Sequence, residues 1–66
     1  MHIQLNGEPR ELSEGTTLSG LIGQLGLTGK RLAVELNEDI IPRSQHNDQV
    51  LTDGDRVELV HAIGGG

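Results

Sequence analysis

One helix-type pattern lies between segments with a strand-type pattern, and this order constrains the fold of the chain most strongly. Apolar residues fall at positions i, i+3, i+4 and i+7 in the run Leu18, Leu21, Ile22 and Leu25, which indicates an amphipathic helix. On both sides of it, apolar and polar residues alternate with a period of two, which is typical of half-buried strands. The sequence therefore predicts an α+β domain in which one main helix packs on a sheet.

The first dozen residues predict a β-hairpin. Ile3 and Leu5 alternate with polar residues, and the next two residues, Asn6 and Gly7, tolerate the positive φ that a type I′ turn requires. The returning segment contains Pro9, which has no N–H to donate. We therefore expect the second strand to lie at the edge of the sheet or to contain a bulge.

After the helix the strand-type pattern returns. A third strand is predicted over residues 32–36, a turn over 37–39, a short apolar segment at 40–41, a helical turn within the polar residues 43–49, and a last strand over 56–63. A helical crossover favours a third strand that runs parallel to the second. The expected architecture is β-β-α-β-β, a mixed sheet with the helix on one face.

Three glycines lie within or directly after the predicted helix, and their backbone conformations are informative. Gly20 and Gly23 lie inside the predicted helix, where each costs about 1 kcal/mol relative to alanine. We interpret them as a sign that the helix approaches the sheet closely. Gly26 suits the left-handed position that follows a helix C-terminus.

Composition excludes several classes of function. Ten acidic residues against five basic ones give a net charge of −5, so we expect neither nucleic-acid nor membrane binding. The chain lacks Cys, Phe, Tyr and Trp, which excludes disulfides, thiolate metal sites, cysteine nucleophiles and aromatic stacking platforms. No apolar stretch approaches the ~20 residues of a membrane span, and no signal peptide is apparent. A cytoplasmic protein is expected.

The polar residues do not form a recognisable catalytic or metal-binding motif. We interpret the acidic pairs at 38–39 and 53–55 as turns, because Asp and Gly favour turn conformations. His2, His46 and His61 lie on separate segments, and we interpret them as surface residues, His61 as a possible interface residue. No nucleophile elbow or phosphate loop is present. The sequence therefore does not predict an enzyme.

The three glycines that end the sequence are the strongest functional signal. They follow the last predicted strand almost directly, so we expect a folded domain over residues 1–63 and a flexible glycine tail over 64–66. Three or four extended residues span ~10–14 Å, enough to reach a buried active site on another protein. Glycine also allows backbone angles that other residues avoid.

Four further stretches, together with this tail, resemble a known family over essentially the whole chain. They are residues 1–7 (MHIQLNG), 17–22 (TLSGLI), 33–43 (AVELNEDIIPR) and 53–60 (DGDRVELV). In these residues the chain resembles the ThiS family, the ubiquitin-like β-grasp sulfur carriers of thiamine biosynthesis. The resemblance implies a β-grasp fold.

The resemblance also implies a function. The carboxylate of Gly66 would be adenylated by a ThiF-type enzyme, which uses ATP and Mg²⁺, and then converted to a thiocarboxylate with sulfur from a cysteine desulfurase system. Thiazole synthase, ThiG, would accept this sulfur, and the partner enzymes would recognise Gly64 and Gly65. The chain itself would bind no cofactor and no metal. The expected docking surface comprises Val60, Ala62 and Ile63.

Three alternatives remain at this point. A MoaD-like carrier for molybdopterin synthesis would share the fold, the tail and the adenylation. A ubiquitin-like modifier would be joined through Gly66 to lysine amines of other proteins. In a small interaction domain, the glycine tail would be incidental.

Overall fold

The computed structural model describes residues 1–61. Five residues with predicted roles therefore lie outside the described residues, as does the predicted domain boundary after residue 63. They are Ala62, Ile63, Gly64, Gly65 and Gly66.

The described residues form one mixed sheet and one α-helix. The elements in chain order are strand β1 (His2–Leu5), strand β2 (Glu8–Glu11), helix α1 (Leu18–Gln24), strand β3 (Leu32–Leu36), strand β4 (Asp39–Ile40), a 3₁₀ helix (Arg43–Gln45) and strand β5 (Arg56–His61). Within residues 1–61 the strand order is β2-β1-β5-β3-β4. Strands β1 and β5 are parallel, and the other neighbours are antiparallel. Strand β3 thus runs in the same direction as β2, as the helical crossover predicts.

The predicted hairpin is confirmed. Asn6 and Gly7 have φ angles of 51° and 82°, close to those of a type I′ turn. Strand β2, which contains Pro9, is an edge strand. The missing N–H of Pro9 therefore leaves no gap inside the sheet.

The N-terminus of α1 is held by its own cap and by the segment that precedes β5. The Thr17 hydroxyl accepts a hydrogen bond from Gly20 N at 3.1 Å. Leu18 N and Ser19 N donate to the carbonyls of Gln49 and His46 at 3.0 and 3.1 Å. The first-turn N–H groups, which have no partner inside a helix, are thereby satisfied.

The C-terminus of α1 closes with Gly26 in the left-handed region, at φ +72°, as predicted. Gly26 N donates to Gly23 O at 3.0 Å, and Leu27 N donates to Ile22 O at 3.0 Å. These two bonds are those of a Schellman motif.

The interpretation of the two helical glycines is wrong. A Cβ atom at Gly20 would meet only Thr16 and Thr17, at 3.4 and 3.5 Å, and one at Gly23 would meet only Thr28 Oγ1, at 3.7 Å. The helix backbone therefore does not approach the sheet closely at either position.

The turn after β3 is shorter than predicted. Asn37 and Glu38 have φ angles of 51° and 74°, and Asp39 already belongs to β4. The register pairs Leu36 with Asp39 and Glu35 with Ile40. A two-residue turn is thus followed directly by a short fourth strand.

One aliphatic core lies between α1 and the facing side of the sheet. Its buried residues are Ile3, Leu12, Leu18, Leu21, Ile22, Val34, Leu36, Leu51 and Val57. Burial of apolar surface is the main stabilising contribution in such a core.

One residue contrasts with its neighbour, and another differs from its predicted environment. Val50 is 48% exposed, whereas the adjacent Leu51 is 1% exposed. His46, expected on the surface, is 7% exposed, and its Nε2 lies 3.0 Å from the carbonyl oxygen of Ile41. Since a carbonyl only accepts hydrogen bonds, Nε2 carries the proton in this contact.

No helix in the described part of the chain is long and apolar enough to cross a membrane.

Candidate functional site

Strand β5 leads directly to the predicted tail, and it occupies the centre of the sheet. It pairs with β1 through Gln4–Arg56 and Leu5–Val57, and with β3 over the five pairs from Leu36–Val57 to Leu32–His61. A strand with partners on both sides is held more firmly than an edge strand. Val57 thus has partners on both sides, whereas residues 58–61, which lead to the tail, pair with β3 alone among the described strands.

Two turn asparagines hold β5 through their side chains. Asn37 Oδ1 accepts from Arg56 N at 2.9 Å, and Asn6 Oδ1 accepts from Leu59 N at 2.9 Å. In return, Asn37 N donates to Arg56 O at 2.8 Å, and Asn6 N donates to Val57 O at 2.9 Å. Both hairpin turns are therefore tied to the strand that carries the tail.

The face of the sheet opposite α1 is open, and β5 contributes to its centre. Val57 is 1% exposed and points into the core, whereas Val60 is 57% exposed. Glu58 and Val60 lie opposite Glu35 and Ala33 of β3. Val60 therefore lies on the open face.

The register between β3 and β4 places Ile40 on the same face. It pairs with Glu35 and is 77% exposed, the most exposed of the large apolar side chains described. We call the set Ala33, Glu35, Ile40, Glu58 and Val60 the open-face patch. It combines apolar side chains with two carboxylates, which suits protein contact more than catalysis.

The described residues offer little catalytic or metal-binding chemistry on this face. Among residues 1–61, no group of three His, Asp or Glu side chains could hold a metal ion. The ion pairs described are long; the exposed side chains of Arg56 and Glu38, for example, are 3.9 Å apart, and such exposed pairs contribute little stability. The open-face patch can therefore contribute apolar contacts and negative charge to a protein interface.

The sequence analysis missed Asn6, Asn37 and Ile40 as parts of the site. For Asn6 and Asn37, the sequence did contain a signal: asparagine is common at turn positions, and its amide side chain readily forms hydrogen bonds with nearby backbone. Their partners on β5, however, are 53 and 19 residues away. Turn chemistry alone does not identify such partners.

Comparison with known proteins gives a consistent set of relatives. The sequence model of the ThiS family matches residues 3–66. A sulfur carrier protein ThiS from Thermus thermophilus is 44% identical over 64 residues, which is 97% of this chain and 98% of that protein. A crystal structure of the thiamine biosynthesis protein ThiS from Geobacter metallireducens superposes with a TM-score of 0.86 at 29% identity, covering 100% of both chains.

A further relative is much longer. A thiazole synthase from Magnetococcus marinus is 46% identical over 66 residues. The match covers 100% of this chain but only 20% of that protein.

Proposed function

The chain belongs to the ThiS family and has its β-grasp fold, and from this premise we propose that it is a sulfur carrier of thiamine biosynthesis. The observation that carries the proposal is the family match over residues 3–66, which extends through the terminal glycines. The relative from Thermus thermophilus, named a sulfur carrier, supports it over nearly its full length.

The chemistry follows from the reactivity of a carboxylate. Its charge is delocalised, so it is a poor electrophile until a better leaving group is attached. In the proposed cycle a carboxylate oxygen of Gly66 attacks the α-phosphorus of ATP, pyrophosphate leaves, and an acyl-adenylate forms. A ThiF-type partner supplies the ATP site and Mg²⁺. A persulfide sulfur of the cysteine desulfurase system then attacks the acyl carbon and displaces AMP, which gives an acyl disulfide. A thiol of the sulfur donor cleaves this disulfide, so the thiocarboxylate of Gly66 is released and the donor is left with a disulfide.

The proposed acceptor is thiazole synthase, ThiG. The thiazole synthase of Magnetococcus marinus contains a stretch that matches this entire chain, so in that protein a carrier-like segment and the rest of the synthase share one polypeptide. Two proteins that act in succession are often joined in this way. We propose that a thiazole synthase likewise receives the sulfur from this chain.

Within this function the tail and the open face have different roles. Gly64 and Gly65 would pass through the partner's channel and deliver Gly66 to its active site. Val60, with Ala62 and Ile63, would form the docking surface, and the exposure of Val60 supports this role. The pairing of Val60 and His61 with β3 would hold the docking surface close to the start of the tail.

An adenylation assay tests the docking surface with a matched control. Val60 and Val50 are both exposed valines, 57% and 48%, but Val50 lies in the segment before β5, next to the N-terminus of α1. With the ThiF-type enzyme, pyrophosphate release from Val60→Asp should show a raised KM, about tenfold if ~1.4 kcal/mol of contact is lost. Val50→Asp should behave as wild type, and equal KM values for both variants would refute the assigned surface.

The choice of acceptor separates the sulfur carrier from its alternatives. The thiocarboxylate form should support thiazole formation by ThiG. Sulfur transfer to a molybdopterin precursor and not to thiazole would favour the MoaD-like role. Higher-mass conjugates in lysates that disappear on deletion of Gly66 would favour a protein modifier. Full function without Gly65 and Gly66 would favour an interaction domain.

A further inference from the structure

A concave site that shares only Ala33 with the open-face patch collects much of the positive charge of the chain. The cavity has a volume of about 420 Å³ and lies between α1, the loop that precedes β3, and the segment around the 3₁₀ helix. Its polar lining is contributed mainly by Ser19, Lys30, Arg31, Arg43, His46 and Asn47. We call it the basic cavity.

The charge of the basic cavity is opposite to that of the chain. Three of the five Lys and Arg residues line it, namely Lys30, Arg31 and Arg43. None of the ten acidic residues does. Within the range 1–61, these three cations form no ion pair. A chain of net charge −5 thus has one concavity that is lined by three cations and by no carboxylate.

Hydrogen bonds hold several of the residues that line the cavity. His46 is 7% exposed and is fixed by its Nε2 contact with the Ile41 carbonyl at 3.0 Å. The Ser19 hydroxyl donates to Asn47 Oδ1, which leaves the amide nitrogen of Asn47 as a donor. Ile22 and Leu32 add apolar surface. A concave lining that combines polar donors, cations and apolar surface is typical of a small-molecule site.

We propose that the basic cavity binds a small phosphorylated molecule, whose phosphate is held by Lys30, Arg31 and Arg43. Guanidinium groups match phosphate with paired, charge-assisted hydrogen bonds, and a lysine adds a point charge. The volume falls within the ~300–1,000 Å³ of ligand pockets. A concave site of this size suits a small phosphoester better than an acidic segment of a protein, which would need a longer groove.

The basic cavity lies at the same end of the sheet as the root of the tail. Leu32, which lines it, pairs with His61 at the end of β5. A bound phosphorylated molecule would therefore lie beside the strand end that leads to Gly66. The binding itself does not depend on the sulfur-carrier role, and its test needs no partner enzyme.

Titration of the ¹⁵N-labelled full chain with pyrophosphate and with AMP, followed by NMR, tests the proposal. Saturable shifts should centre on Lys30, Arg31 and Arg43. Arg43→Gln should weaken binding about tenfold or more, since a hydrogen bond to a charged group contributes ~1.5–3 kcal/mol. Arg10→Gln makes the same charge change on the edge strand β2 and should leave the affinity close to wild type.

Three results would overturn the proposal. The first is an absence of saturable shifts with both probes. The second is an equal loss of affinity in Arg43→Gln and Arg10→Gln, which would indicate a general effect of net charge. The third is binding of a short polyglutamate peptide, but of neither phosphate probe, at these residues; the site would then receive an acidic protein segment. Far-UV circular dichroism of each variant establishes that it is folded.

Discussion

Replacing Gly23 by alanine should stabilise the domain, whereas the same replacement at Gly26 should destabilise it. Gly23 lies inside α1, and a Cβ there would meet only Thr28 Oγ1, at an ordinary contact distance of 3.7 Å. Alanine in a helix interior is favoured over glycine by about 1 kcal/mol. The main reason is that glycine has more backbone freedom in the unfolded chain and therefore loses more of it on folding. Gly26 has φ +72°, where a Cβ costs ~1–2 kcal/mol.

The two variants should therefore differ in free energy of unfolding by roughly 2–3 kcal/mol. For a domain of this size, 1 kcal/mol corresponds to a shift in Tm of about 4–8 °C, so Gly23→Ala should melt above wild type and Gly26→Ala below it. Because the chain lacks Trp, Tyr and Phe, unfolding is best followed by far-UV circular dichroism, with heat and with urea.

Each variant serves as the control for the other, because the chemical change is the same and the two sites are three residues apart. A destabilised Gly23→Ala would mean that α1 contacts its surroundings more closely than the distance to Thr28 indicates. Equal effects at both sites would contradict the left-handed assignment of Gly26.

Three other substitutions test the core, the support of β5 and the charge of the open face. Leu21→Ala removes a fully buried side chain and should cost about 2–5 kcal/mol, seen as loss of much or all of the cooperative thermal transition. Asn6→Gly keeps the positive-φ turn but removes the acceptor for Leu59 N; a cost of about 1 kcal/mol should appear as faster hydrogen exchange of the Leu59 amide. Glu58→Gln removes a carboxylate directly opposite Glu35 and should stabilise by about 0.2–1 kcal/mol, less at high salt.

Each of these expectations has a contradicting result. A Leu21→Ala variant with the wild-type Tm would contradict the central place of this leucine in the core. Unchanged exchange at Leu59 would show that the Asn6 side chain does not hold β5. A Glu58→Gln variant that is destabilised at low salt would show that the two carboxylates do not repel each other across the strands.

The elements set by local chemistry were predictable from the sequence. Asn6 and Gly7 specify a two-residue turn whatever else the chain does, and Gly26 marks the end of α1. The period of two in the last strand agrees with the structure, in which Val57 is buried and Val60 is exposed, because alternate side chains of a strand face opposite sides. In each case the information lies within a few residues of the feature.

The features that depend on distant contacts were not predictable. His46 is buried because its segment folds back on the N-terminus of α1, where its carbonyl accepts from Ser19 N. The neighbouring Val50 and Leu51 have opposite environments, 48% and 1% exposed, which composition does not distinguish. The position of Ile40 on the open face depends on the register of the two-residue strand β4.

The prediction for Gly66 has a different basis. Its position at the end of the sequence and the flexibility of glycine indicated a tail that could enter another protein's active site. The specific chemistry, adenylation followed by sulfur transfer, came from the family resemblance and not from geometry. It is therefore the claim that most needs a direct measurement.

The intact mass of the chain isolated from the cells that produce it tests the sulfur-carrier proposal most directly. The account predicts a population that is heavier by the difference between one sulfur and one oxygen atom, with the change localised to Gly66 by fragmentation. Only the unmodified mass, in sulfur-replete cells with active adenylating and desulfurase partners, would contradict it.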